Sequence, residues 1–255
     1  MFVFRNGGYA MLREVLGQFV ATSSTRSNSP LIGLAVCVVL AVFLSGCAPE
    51  RELDHLLRLD RRTVLDIKPP TSIVTNSTAI VKIADVKDQR VFEADPRNPS
   101  TPSLQTAADI TNPMITVRAV ARKRGAYGEA LGDFVLPEGR TVAGLVRGAL
   151  QKALQDKGYR VVQEGSPDYA DAMPISVEIE RFWEWITPGT FAFTIECQAA
   201  VTMTGAIFTS PNPAQVEGYA MSSRIGQYDS LAADVIKRGL EDLTEKMKAQ
   251  IKPPS

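Results

Sequence analysis

The sequence predicts an α+β fold, a two-layer, largely antiparallel sheet of five or six strands with two amphipathic helices packed on one face. Three observations predict it. Two segments, 141–157 and 229–251, carry apolar residues at spacings of three and four. Several others alternate apolar and polar side chains, as half-buried strands do. Gly158 is followed at once by Tyr159-Arg160-Val161-Val162, the pattern of a helix packed beside the sheet it feeds.

The chain opens outside this fold. An apolar run from Leu31 to Leu44 ends in Leu44-Ser45-Gly46-Cys47. As a helix those residues would reach about 21 Å, short of a hydrocarbon core of roughly 30 Å. Arg5, Arg13 and Arg26 precede the run, with only Glu14 opposing them. The arrangement resembles a bacterial lipoprotein signal, in which small residues let a peptidase reach the bond before an acylated cysteine. It makes residues 1–46 a signal peptide and Cys47 the lipidation site. A short membrane anchor, or a secretory signal with a chance cysteine, is the alternative. The long stretch before the apolar run predicts that translation begins at Met11 or later. Ala48, rather than an aspartate, follows Cys47, which favours sorting to the outer membrane with the domain facing the periplasm.

Cleavage would leave residues 47–255, a length suited to one domain plus a tether. Removing Arg5, Arg13, Arg26 and Glu14 from 28 basic and 28 acidic residues leaves 25 and 27, a net charge near −2. That balance argues against nucleic acid as a partner, since nucleic-acid binders gather a basic excess on one face. Of the three cysteines, Cys37 departs with the signal and Cys47 takes the lipid, so Cys197 has no partner for an internal disulfide.

Residues 47–70 are charged and contain Pro49 and Pro69-Pro70, the composition of a tether, with 71–255 as a single periplasmic domain. The first strand covers Ala79 to Val86. From Glu93 to Pro113 four prolines among Asn, Ser, Thr and Asp predict a long excursion without regular structure. Ile115 to Arg122 alternates as a second strand, and Arg122-Lys123-Arg124-Gly125 is expected to end it. These charges suit a solvated strand end or anionic headgroups.

The clearest helix runs from Thr141 to Lys157. Val142, Leu145, Val146, Ala149, Leu150, Ala153 and Leu154 form its apolar stripe, with Thr141 as N-cap and Gly158 as the stop. Ile175-Val177-Ile179 and the alternating series from Phe191 to Met203 predict two long antiparallel strands, and the latter places Cys197 on the apolar face as a buried small hydrophobe. A strand over Gln215–Ile225 follows Pro211-Asn212-Pro213. The last helix carries Leu231, Val235, Ile236, Leu240, Leu243, Met247 and Ile251 on its buried stripe, with Asp229 as cap.

No catalytic residue, metal site or cofactor is expected. His55 is the sole histidine and lies in the tether, which removes Ser-His and Cys-His catalysis and histidine-ligated zinc from the domain. Asp85, Asp88, Asp168 and Asp171 are the carboxylates that a carboxylate-only hydrolase would pair. The positive signal is Arg181-Phe182-Trp183-Glu184-Trp185-Ile186-Thr187-Pro188-Gly189-Thr190-Phe191, which holds both tryptophans and a Pro-Gly turn. Read as a hairpin end, it offers Trp183, Trp185 and Phe182 as anchors for a partner. Burial of all three beneath a helix or the long loop is the other reading.

The segment Ile80-Val81-Lys82-Ile83-Ala84-Asp85-Val86-Lys87-Asp88-Gln89-Arg90, the helix from Leu145 to Tyr159 with its Lys-Gly-Tyr end, and Ile175 to Glu180 together resemble the YajG-like family of bacterial lipoproteins. The resemblance implies an outer-membrane lipoprotein without known catalytic residues. The expected function is a non-enzymatic, lipid-anchored binding or envelope-assembly module, joined to the membrane through Cys47 and meeting an envelope protein. An accessory subunit of an envelope transport or export complex is the alternative.

Overall fold

The computed structural model describes residues 62–71, 77–94, 96–125, 129–189, 192–209, 212–224 and 228–254. All of them belong to the unit that begins at Asp60; Cys47 and the rest of the predicted signal and tether up to residue 61 lie outside the described residues.

One mixed sheet contains β1 (Arg62–Val64), β2 (Ile80–Asp88), β3 (Ala119–Arg124), β4 (Ala130–Val135), β5 (Arg160–Val161), β6 (Met173–Pro188), β7 (Phe193–Thr204) and β8 (Ala214–Arg224). Helices α1 (Ala107–Ile110) and α2 (Pro113–Thr116) are single turns, whereas α3 (Val142–Asp156) and α4 (Tyr228–Gln250) are long. The class is α+β. The sheet has eight strands rather than five or six and is mixed: its two longest ladders, β6–β7, which is the antiparallel pair expected, and β7–β8, are antiparallel, while four shorter pairings are parallel. β1 with β4, β2 with β5 and β6, and β3 with β6 all pair in parallel. Antiparallel pairing is confined to β3–β4, β6–β7 and β7–β8. Period-two alternation reports which face a side chain takes and is silent on strand direction. Parallel pairing needs crossovers of a dozen or more residues, and the connections after β1, β2 and β4 are all that long.

The folded part starts earlier than residue 71. Arg62–Val64 pairs with Asp133–Val135, and Leu65 and Ile67 are buried. Pro69 lies against α3 so closely that a Cβ on Gly148 would come within 2.4 Å of it. Pro69 therefore meets the helical layer instead of closing a linker.

The helical layer matches its periodicity. All seven predicted stripe residues of α3 are buried, the Thr141 hydroxyl accepts from the Gly144 amide at 3.0 Å, and Gly158 turns the chain at a φ of +94°. α4 buries Val235, Ile236, Leu240, Leu243 and Met247. It crosses β8 at Gly218, where an added Cβ would meet the Gly239 carbonyl at 2.6 Å. Asp229, expected as its cap, lies inside the first turn and pairs with Lys123 at 2.7 Å.

β6 is the spine of the sheet. β7 runs along one side of it, while the other side is shared, with β2 taking Met173–Ile179 and β3 reaching Glu184. Arg90 fills the fork. Its Nη1 donates to the Ala119 and Phe182 carbonyls at 2.6 and 3.1 Å, and its Nη2 to the Thr116 carbonyl at 2.8 Å. Asp88 holds the same guanidinium at 2.8 and 2.7 Å. The Asp88-Gln89-Arg90 segment is thus a clamp that satisfies backbone groups where the two strands part.

The excursion after β2 is not without regular structure. Thr106 and Asn112 cap α1 and α2, and Ile115, expected in a strand, lies in α2, so β3 begins only at Ala119. Arg122, Lys123 and Arg124 are the last three residues of β3, which stops before Gly125 as expected, and Arg122 donates to the Leu104 carbonyl at 2.7 Å. The excursion covers the sheet face opposite the helices, forming a second, smaller core of Leu104, Ala119, Val135 and Trp183, with Phe92, Ile110 and Ile115 packed against it.

Candidate binding surface

Where the aromatic side chains of β6 point is decided by a bulge between Ile179 and Arg181. An extra residue reverses which face alternate positions take. Before it, Ile175, Val177 and Ile179 join the main core under the helices; after it, Phe182 does so. Trp183 turns to the opposite face, with its ring 5.9 Å from that of Phe92, edge to face.

This corrects the reading of the segment as an exposed hairpin end. β6 continues through it to Pro188, and Phe182 and Trp183 are buried on opposite faces, so neither is a partner anchor. Trp185 is half-buried at the margin of the second core. The excursion explains the difference, because it covers the face that a two-layer fold would leave to solvent.

Beyond that cover, the same face of β6, β7 and β8 is open. Register places Trp185 beside Glu196 and Glu196 beside Met221, with Gln198 and Tyr219 in the next row. Glu196 orients both rings. Trp185 Nε1 donates to its Oε2 at 3.1 Å, the Thr187 hydroxyl to the same oxygen at 3.2 Å, and the Tyr219 hydroxyl to Oε1 at 2.7 Å. That hydrogen bond, with some burial, pushes the Tyr219 hydroxyl up to about 12, so it stays a donor. Tyr219 and Met221 are 42% and 51% exposed, which is unusual for large side chains side by side on a strand. Below them Arg181 donates to Gln198 at 2.6 Å, and Gln198 to Glu217 at 3.3 Å. Tyr219 and Met221 were legible as outward residues, since they share the phase of Gln215 and Glu217 in the alternation over 215–225.

Two buried carboxyls carry displaced proton affinities. Glu184 sits on the helix-facing side of β6, fully buried, accepting from the Tyr228 hydroxyl at 3.1 Å. Burial pushes it up to about 8 against the pull of that hydrogen bond. Cys197, its partner across the β6–β7 ladder, is buried as expected, and its thiol is pushed up by burial and then by Glu184. Asp133, beneath the excursion, is raised to about 6 by burial, although the Gln105 amide donates to it at 3.1 Å and Arg122 and Arg62 oppose the shift.

Of the four aspartates weighed for acid–base chemistry, Asp171 is exposed and the other three pair with cations. Asp85 pairs with Lys87 at 3.5 Å, Asp88 with Arg90, and Asp168 with Arg160 at 2.7 Å. Among the described residues no group of three or more His, Cys, Asp or Glu is placed to hold a metal ion, and no helix is long and apolar enough to cross a membrane. A shallow groove of about 740 Å³ runs between Asp66–Thr71 and the two long helices. Lys68, Lys152 and Lys237 line it together with Asp66, Asp234 and Glu241, so its charge is balanced.

No protein-family model and no curated protein matches the chain. A solved structure described as "Crystal structure of uncharacterized protein" aligns with 71% of this chain and 98% of its own, at 9% identity and a TM-score of 0.33.

Proposed function

We propose that the protein is a lipid-anchored, non-catalytic binding or envelope-assembly module, held on the outer membrane through Cys47 with its domain facing the periplasm, and a member of the YajG-like lipoproteins it resembles. The observation that carries this reading is the apolar run ending in Leu44-Ser45-Gly46-Cys47, followed by Ala48. Binding rather than catalysis is supported by the pairing of Asp85, Asp88 and Asp168 with cations and by the open face that carries Trp185, Tyr219 and Met221. That face, in place of Phe182 and Trp183, is the contact surface for an envelope protein. The intact mass of the mature protein from membranes, beside Cys47→Ala, tests the anchor. A lipid-sized increment on a chain starting at Cys47, absent from the variant, supports it; an unmodified chain retaining residues before Cys47 refutes it.

A further inference from the structure

We infer that the open face of β6, β7 and β8 docks a basic segment of a partner protein, one in which lysine or arginine side chains stand beside apolar ones. The inference rests on the reading of the chain as a binding module and names the chemistry of what it binds. Charge is the first argument. Glu178, Glu180, Glu196 and Glu217 share this face with Arg181, Lys87 of β2 lies level with Glu178 but pairs with Asp85 at 3.5 Å, and among the described residues none of the four glutamates has an ion-pair partner. The basic residues at the adjoining edge are already matched, Arg238 with Asp234 at 3.0 Å and Lys246 with Asp242 at 2.8 Å. An anionic lipid surface or a nucleic acid would be repelled by such a face; a cationic one is attracted.

Preorganisation is the second argument. Trp185 and Tyr219 donate to the two oxygens of one carboxylate, so their rings are held without a partner present. Rings fixed beside carboxylates are a setting in which an arginine or lysine gains cation–π attraction along with charge pairing. Met221, exposed in the next position of the same strand face, adds an adaptable apolar contact.

The mode of docking follows from the strand edge. Asp242 accepts from the Tyr219 amide at 2.8 Å and Arg238 donates to the Met221 carbonyl at 3.2 Å, so beside these two residues α4 already occupies backbone groups that an added strand would need. The partner therefore lies across the face and does not extend the sheet.

The test uses the full chain in neutral-detergent micelles and a dye-labelled peptide alternating arginine and valine, with a glutamate–valine peptide as counterpart, read by fluorescence anisotropy. The arginine peptide is expected to bind, and more weakly as salt is added. Combining Glu178→Gln, Glu180→Gln and Glu217→Gln is expected to weaken it about tenfold. Tyr219→Ser weakens it at unchanged charge, while Glu138→Gln, an exposed acid in the turn after β4, leaves it unchanged. Equal binding of both peptides, binding of neither, or unaltered affinity in the triple variant would overturn the inference. Lipidated protein that ignores the arginine peptide sinks this inference alone, whereas unlipidated protein that binds it sinks only the anchor.

Discussion

Replacing Glu184 by glutamine removes a carboxyl whose titration opposes folding. Its proton affinity is about 8 in the folded chain against an ordinary 4.5, because burial between β6 and α4 disfavours the charged form. Between those values the native state holds a proton that the unfolded chain releases, so stability falls as pH rises, by about 1.4 kcal/mol per pH unit. Asp133 adds a similar slope, but its window closes at about 6. From pH 6 to 8 the slope therefore belongs to Glu184 and amounts to about 2–3 kcal/mol. With a urea dependence of about 2 kcal/mol per molar, the unfolding midpoint drops by about 1 M across that range. In Glu184→Gln the Tyr228 hydroxyl still has an oxygen to donate to, while the amide nitrogen is left in apolar surroundings at a cost of about 1–3 kcal/mol. The variant should be less stable than the parent near pH 6, flat with pH, and overtake it as pH rises. Urea titrations at pH 6, 7 and 8 read this directly. A parent midpoint that does not move over that range, or a variant with the same slope, refutes the account of the buried carboxyl.

Arg90→Ala should destabilise the domain by about 3–5 kcal/mol, since it strips three backbone carbonyls at the strand fork and leaves Asp88 without its cation. Arg90→Lys should restore little, because one ammonium cannot span those positions; the same urea titration compares them. Trp183→Ala should cost about 3–5 kcal/mol by opening the second core, whereas Trp185→Ala, at its margin, should cost about 1 kcal/mol or less. Comparable losses for the two would place Trp185 in the core and remove it from the binding face.

The long helices were readable because their evidence is local. The stripe from Val142 to Leu154 and its Thr141 cap depend on residues a few positions apart, and the structure keeps each of them. The alternation from Ile195 to Met203 likewise named the buried phase of β7, Cys197 included. The site was less readable. Phe182 and Trp183 look alike as aromatics on a strand, and their burial depends on α3 and α4 on one side and on Phe92 and Leu104, from a proline-rich stretch far back in the sequence, on the other. Tyr219 and Met221 stood in the outward phase of β8, but only the absence of the excursion over that part of the sheet leaves them exposed, and no local pattern reports where a distant loop stops.

The sequence by itself determined the α+β class, the two amphipathic helices, the phase of β7 and β8 and the burial of Cys197, because propensity and periodicity act over one or two turns of chain. It also carries the whole of the anchoring argument at Cys47. The tertiary structure alone decided which strands pair in parallel, the joining of Arg62–Val64 to the sheet, the bulge after Ile179 and the fork closed by Arg90. Each of these is a relation between backbone groups from distant segments, set by which strand reaches which edge of β6, and pairing at that range leaves no trace in the order of neighbouring residues.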